Sequence, residues 1–104
     1  MPGMRLMIVV SSGSSRLTTA LTLAAAAAAL GREVTMLFDG ASVTALLAGD
    51  ELLATALDLG VRIVACQTGL AEAGIAATAL PAGVVTGGMV SFLADAGDTQ
   101  LLLA

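Results

Sequence analysis

Val61-Arg62-Ile63-Val64-Ala65-Cys66-Gln67-Thr68-Gly69-Leu70 is the stretch from which the fold can be read. Val61 to Ala65 is a short run rich in β-branched apolar residues, entered from Gly60 and left through the polar Gln67-Thr68-Gly69. That is the pattern of a buried strand giving way to a turn and a helix start. Immediately upstream, Ser42 through Leu59 is helical in character but interrupted near Gly49-Asp50, which predicts a short helix around Val43 to Ala48 and a second around Leu52 to Leu59. Glu33 to Phe38 reads as another strand, closed by Asp39-Gly40. Before it, Leu17 to Leu30 is a helix with Gly31 just past its end, and its alanines Ala24 to Ala29 favour helix while leaving a smooth face for a close neighbour. Arg5 to Val10 is the first strand, apolar on both faces as parallel strands between helix layers are. Ser11-Ser12-Gly13-Ser14-Ser15 then breaks it with hydroxyls suited to capping a helix.

Downstream of Cys66, Leu70 to Ala73 looks like a short helix cut off by Gly74, Ile75 to Leu80 is ambiguous, and Pro81-Ala82-Gly83 is a turn. Val84-Val85-Thr86 forms a short fourth strand, Gly88 to Ala96 a helix, and Thr99 to Leu103 a terminal fifth strand. Strands that alternate with helices, with connections closing in glycine, predict βαβ units and a parallel sheet. Right-handed crossovers place helices on both faces. The expected architecture is α/β, a single three-layer α/β/α sandwich over residues 1–104.

Sites in such sheets gather at the edge formed by the C-terminal ends of the strands. Four segments end there: Ser11 to Ser15, Asp39-Gly40, Cys66 to Gly69, and Gly87-Gly88. The candidate rim is therefore Ser11, Ser12, Gly13, Asp39, Gln67, Thr68, Gly69, Gly87 and Gly88 around Cys66.

Composition narrows what this rim can do. The hydrophobic fraction of the 104 residues is 58% and the mean hydropathy +1.00, against roughly 45–50% apolar usage in ordinary domains. A membrane or an oligomer must cover the surplus. A spanning helix needs about 20 consecutive apolar residues, whereas Leu17 to Leu30 is shorter, contains Thr18, Thr19 and Thr22, and ends at Gly31-Arg32-Glu33. Met1 to Val10 is too short an apolar run for a signal peptide. The expectation is a cytoplasmic homo-oligomer with no membrane segment. Net charge is −4, the only bases are the scattered Arg5, Arg16, Arg32 and Arg62, and there is no Trp or Tyr. Nothing here offers nucleic acid a basic, aromatic surface.

Absences remove most catalytic schemes. Without histidine there is no Ser-His-Asp triad, Cys-His pair or HExxH site, and one cysteine makes neither a disulfide, a CxxC couple nor a cysteine metal site. Without lysine there is no Schiff base, and the serine loop lacks the Gly-Lys-Ser/Thr of a phosphate loop. No metal or cofactor is expected, and thiol chemistry or simple binding is what survives.

Two readings of Cys66 stay open at this point. Free cysteine is among the residue types most often buried, as a small hydrophobe. Equally, a thiol at a strand's C-terminal end, followed by a turn whose amides favour a thiolate, can attack a sulfur donor and hold the sulfur as a persulfide without a second residue. The serine loop reads as helix capping before anion binding, and Asp39 as a turn residue near the site that could orient a ligand. Met4, Met7, Met36 and Met89 read as core or interface filler.

Leu6-Met7-Ile8-Val9-Val10-Ser11-Ser12-Gly13, Glu33-Val34-Thr35-Met36-Leu37-Phe38-Asp39-Gly40, Val64-Ala65-Cys66-Gln67 with Gly69-Leu70, and Gly88-Met89-Val90 together resemble the DsrE/DsrF-like family of sulfur-relay proteins over nearly the whole chain. The resemblance implies a three-layer domain with a five-stranded parallel sheet, assembly as a trimer or hexamer, and sulfur carried on a cysteine after the third strand, which corresponds to Cys66. It also implies a sulfur donor or acceptor protein as partner. Relay partners with a mobile C-terminal cysteine have no counterpart in Leu101-Leu102-Leu103-Ala104, so the expected role is to receive or hold sulfur. The rival expectations are a noncatalytic oligomeric scaffold with an inert thiol, and a small-ligand sensor built on Ser11 to Ser15 and Asp39.

Overall fold

The computed structural model of the chain describes residues 5–11, 15–96 and 100–104. Five strands, β1 (Leu6–Val10), β2 (Val34–Phe38), β3 (Arg62–Cys66), β4 (Val84–Gly87) and β5 (Gln100–Leu103), form one sheet in the order β4-β3-β2-β1-β5. Every neighbouring pair is parallel. The helices are α1 (Ser15–Ala29), α2 (Glu51–Asp58), α3 (Gln67–Ala73) and α4 (Met89–Ala96).

The strand order fixes the layers. From β1 to β4 the chain steps across the sheet in one direction, so right-handed crossovers put α1, α2 and α3 on one face. The return from β4 to β5 runs the opposite way and puts α4 on the other. Side chains agree: Ala20 and Leu23 of α1 share a groove with Ile8 and Leu102, whereas Ser91 and Phe92 of α4 share a cleft with Met7, Thr35 and Val64. The register places these two sets on opposite faces of the pleat.

The α1 side holds the larger part of the core. Leu6, Ile8, Val10, Met36, Phe38 and Ile63 project into it almost fully buried, with Leu21 and Ala24 of α1 and Ala56 of α2 against them. Alanine is what lets α1 lie close to both the sheet and α2. Met7 and Met36 are core filler, Met89 packs half-buried against the core, and Met4 lies outside the described residues. Among the described residues no single helix is long and apolar enough to cross a membrane.

Three local expectations are corrected. The segment expected as a helix over Val43 to Ala48 is a 3-10 helix spanning Gly40–Leu47. It is tightened at its start by Ser42, whose amide and hydroxyl both donate to the Asp39 carbonyl, at 3.2 and 2.7 Å. The expected loop from Cys66 to Gly69 does not exist: β3 runs one residue beyond Ala65, and α3 begins at Gln67, three residues before the expected Leu70. Gly69 permits this early start, because a Cβ there would lie 2.7 Å from the Gly40 carbonyl oxygen. Gly87, expected in a loop, is the last residue of β4. The ambiguous Ile75 to Leu80 contains a 3-10 turn, Ala77–Ala79, and the expected Thr99 start of the last strand lies outside the described residues.

Candidate functional site

Register builds the site. Val9, Leu37, Val64 and Val85 stand side by side across β1, β2, β3 and β4. Two residues further along each strand, on the same face, come Ser11, Asp39, Cys66 and Gly87. The Asp39 amide donates to the Val10 carbonyl at 2.8 Å, so the ladder continues to this row. Three of the expected rim positions and Cys66 thus form one transverse line at the C-terminal edge of the sheet.

Their side chains are differently engaged. The Ser11 hydroxyl donates to the Ala104 carbonyl at 3.1 Å, and the Ser11 amide donates to the same oxygen at 2.8 Å, so Ser11 ties β1 to the end of β5. Asp39 is half-buried and extended, and its carboxylate does not cap the 3-10 helix that follows. Cys66 ends β3 and is also the residue preceding α3, with φ −64 and ψ 122 and no cap bond from its side chain. It is a free thiol, 7% exposed, at the border of the core. Gly87 lies directly across from it, and a Cβ at Gly87 would come within 2.9 Å of Val64 Cγ1. Glycine there keeps β4 close to β3 beside the sulfur.

The other expected residues divide. Gln67 and Gly88 line a cleft of about 280 Å³ between β3 and α4, along with Gly87. Thr68 is exposed and is not on its wall, and Gly69 is buried against Gly40 as packing. Ser12 and Gly13 lie outside the described residues. Cys66 itself does not line the cleft, although Val64 and Gln67 on either side of it do.

Sequence reasoning missed the other end of this cleft. Met7, Thr35 and Arg62 form a row on the same face, four residues below the Cys66 row on β3, and all three line the cleft. Arg5 reaches the same wall, where its Nε pairs with Glu33 Oε2 at 3.3 Å and a terminal guanidinium nitrogen donates to the Asp95 carbonyl at 3.2 Å. The available signal was parity: Arg62, Val64 and Cys66 alternate onto one face of a single strand. Among the described residues no group of three or more Cys, Asp or Glu could hold a metal ion.

The architecture has close solved counterparts. The ychN protein from E. coli superposes with a TM-score of 0.84 at 23% identity, covering 96% of this chain and 97% of that one. A protein of unknown function from Methanobacterium thermoautotrophicum gives the same TM-score at 16% identity, covering 97% and 99%. A conserved protein of unknown function from Bacteroides thetaiotaomicron gives 0.78 at 18% identity, covering 96% and 94%. These likenesses concern the fold. No curated protein matches the sequence. The sequence pattern of the DsrE/DsrF-like family, however, matches residues 4–99, which hold β1 to β4 and the Cys66 row. The chain belongs to the DsrE/DsrF-like family.

Proposed function

We propose that the protein is a small cytoplasmic sulfur carrier or sulfurtransferase that holds a persulfide on Cys66. The observation that carries this reading is the place of the sulfur: at the C-terminal end of β3, in line with Asp39 and Gly87, with no side-chain hydrogen bond to the α3 backbone. A thiol so placed is chemically uncommitted, and the chain has no histidine, lysine or second cysteine to do covalent work instead. Family membership supports sulfur relay as the setting. In this reading the protein receives or holds sulfur from a donor protein or molecule and works as a homo-oligomer, a trimer or hexamer.

A second reading rests on burial. At 7% exposure Cys66 packs among the core residues, as an inert thiol in a scaffold subunit does. One experiment separates the two. The folded protein is incubated with a persulfide donor and its intact mass measured. The carrier gains one sulfur atom, lost on reduction, and Cys66→Ser gains none. Uptake by Cys66→Ser, or a folded protein whose thiol resists both the donor and iodoacetamide while reacting normally in denaturant, decides for the scaffold.

A further inference from the structure

The cleft under α4 has a chemistry of its own. At one end stand Arg5 and Arg62, with the Thr35 hydroxyl between them on β2; at the other lie Gln67 and the Gly87-Gly88 turn; Ser91 and Asp95 of α4 form the far wall. Arg5 is committed to Glu33 and to the Asp95 carbonyl. The Arg62 side chain is exposed and has no ion pair or hydrogen bond among the described residues. A guanidinium on a cleft wall with no carboxylate partner is suited to a bidentate carboxylate ligand.

The dimensions select the ligand. Arg62 and Cys66 lie on the same face of β3 four residues apart, about 13 Å at roughly 3.3 Å per residue. The cleft volume of about 280 Å³ is at the small end of the roughly 300–1,000 Å³ typical of ligand pockets. Such a space fits an extended molecule of a few residues. An inorganic sulfur anion could not reach both ends.

Resting on the carrier reading above, we propose that the cleft takes a low-molecular-weight thiol persulfide with a carboxylate, of short-peptide size. The carboxylate sits on Arg62, and the terminal sulfur points toward the end lined by Val64, Gln67 and Gly87, the residues that flank Cys66; Cys66 lies just behind that wall, 7% exposed, and is reached through it. The Cys66 thiolate attacks the outer sulfur of R–S–SH. A new sulfur–sulfur bond forms, the donor's own sulfur–sulfur bond breaks, and its electron pair leaves with R–S⁻. That thiolate takes up the proton given up by the Cys66 thiol, so R–S–SH and Cys–SH become R–SH and Cys–S–SH with no oxidant or reductant consumed.

The test uses the full chain and two matched donors, glutathione persulfide and its diethyl ester, with sulfur uptake at Cys66 followed by intact mass. Arg62→Ala is expected to lower kcat/KM for glutathione persulfide roughly tenfold, the scale of one charged hydrogen-bonded contact, and to leave the ester unchanged. Arg62→Lys recovers part of the loss. Equal rates for wild type and Arg62→Ala with glutathione persulfide, or equal losses with both donors, overturn the proposal. If wild type takes sulfur from a protein persulfide but not from glutathione persulfide, the cleft proposal fails and the carrier reading stands. If Cys66 takes sulfur from neither, the carrier reading fails and this proposal falls with it. Calorimetric titration of the Cys66→Ala chain with glutathione reads the cleft without the chemistry: binding that Arg62→Ala abolishes supports the Arg62 contact, and no binding overturns it.

Discussion

Gly69 and Ser42 set the geometry around the sulfur without touching a ligand. A methyl group at Gly69 meets the Gly40 carbonyl at 2.7 Å and Val43 Cγ1 at 3.1 Å, so α3 must move away from the 3-10 helix to admit it. Gly69→Ala is expected to cost about 1–3 kcal/mol, the usual range for overpacking. It appears as a lower urea midpoint with an unchanged slope, and Cys66 alkylates faster because it stands directly before α3. Stability equal to wild type would show that the close approach is absent. Ser42 is fully buried, and its hydroxyl reaches both the Val10 carbonyl at 2.8 Å and the Asp39 carbonyl at 2.7 Å. Both carbonyls also accept a backbone amide, from Asp39 and from Ser42 itself. Ser42→Ala therefore leaves neither acceptor orphaned, and the expected loss is about 1 kcal/mol rather than the larger penalty of an unsatisfied group. A loss above roughly 3 kcal/mol in urea unfolding would contradict that accounting.

At the scale of elements, α1 shows what a run of alanines does. Ala24 and Ala27 are buried, whereas Ala26, between them in sequence, is exposed on the opposite side of the helix. Ala24→Leu is expected to destabilise by about 1–3 kcal/mol and Ala26→Leu by less than about 0.5 kcal/mol, a contrast that thermal or urea unfolding of the pair checks directly. Similar losses at both positions would mean that the buried face is misassigned. The same elements show where sequence sufficed. Val61 to Ala65 and Arg5 to Val10 announce themselves because apolar β-branched runs bounded by glycine or serine have few alternatives. The strand ends also brought Ser11, Asp39, Cys66 and Gly87 to one edge, since parallel strands all point the same way. The 3-10 geometry of Gly40–Leu47 was not legible, because Ser42, which tightens its start on the Asp39 carbonyl, also reaches the end of β1, a contact across 32 residues. Nor was the early start of α3: Gln67-Thr68-Gly69 has weak helix propensity, and the Gly69–Gly40 approach overrides it. Arg62 escaped notice because it begins its strand, away from the edge where loops gather, and the cleft beneath α4 that it lines is formed only by the packing of α4.

The whole molecule is asymmetric about its sheet. Three α-helices and a 3-10 helix cover one face, while the eight residues of α4 cover the other. Exposed large aliphatic side chains occur on both sides, with Leu23, Leu30, Leu47 and Leu59 in or beside α1, the 3-10 helix and α2, but five gather on the thinly covered side. Val90 and Leu93 of α4, Val85 of β4, and Leu101 and Leu103 of β5 are all exposed, and the register puts the three strand residues on the α4 side. Of these five, Val90 and Leu103 are the most open, at 84% and 80%. Large aliphatic side chains gathered on one thinly covered face, in a chain of mean hydropathy +1.00, match the surplus that composition alone says something must cover. A second copy of the chain is the cover that needs no further component, and closed symmetric assembly is the ordinary outcome for such surfaces. Light scattering on the purified protein is therefore expected to give a mass above that of the monomer. The double variant Val90→Asp, Leu103→Asp places two charges on this face without entering the core, so it is expected to shift the mass toward the monomer while the far-ultraviolet circular dichroism stays unchanged. A monomeric wild type, or an assembly indifferent to both charges, would place the partner surface elsewhere and leave the α4 side bare in solution.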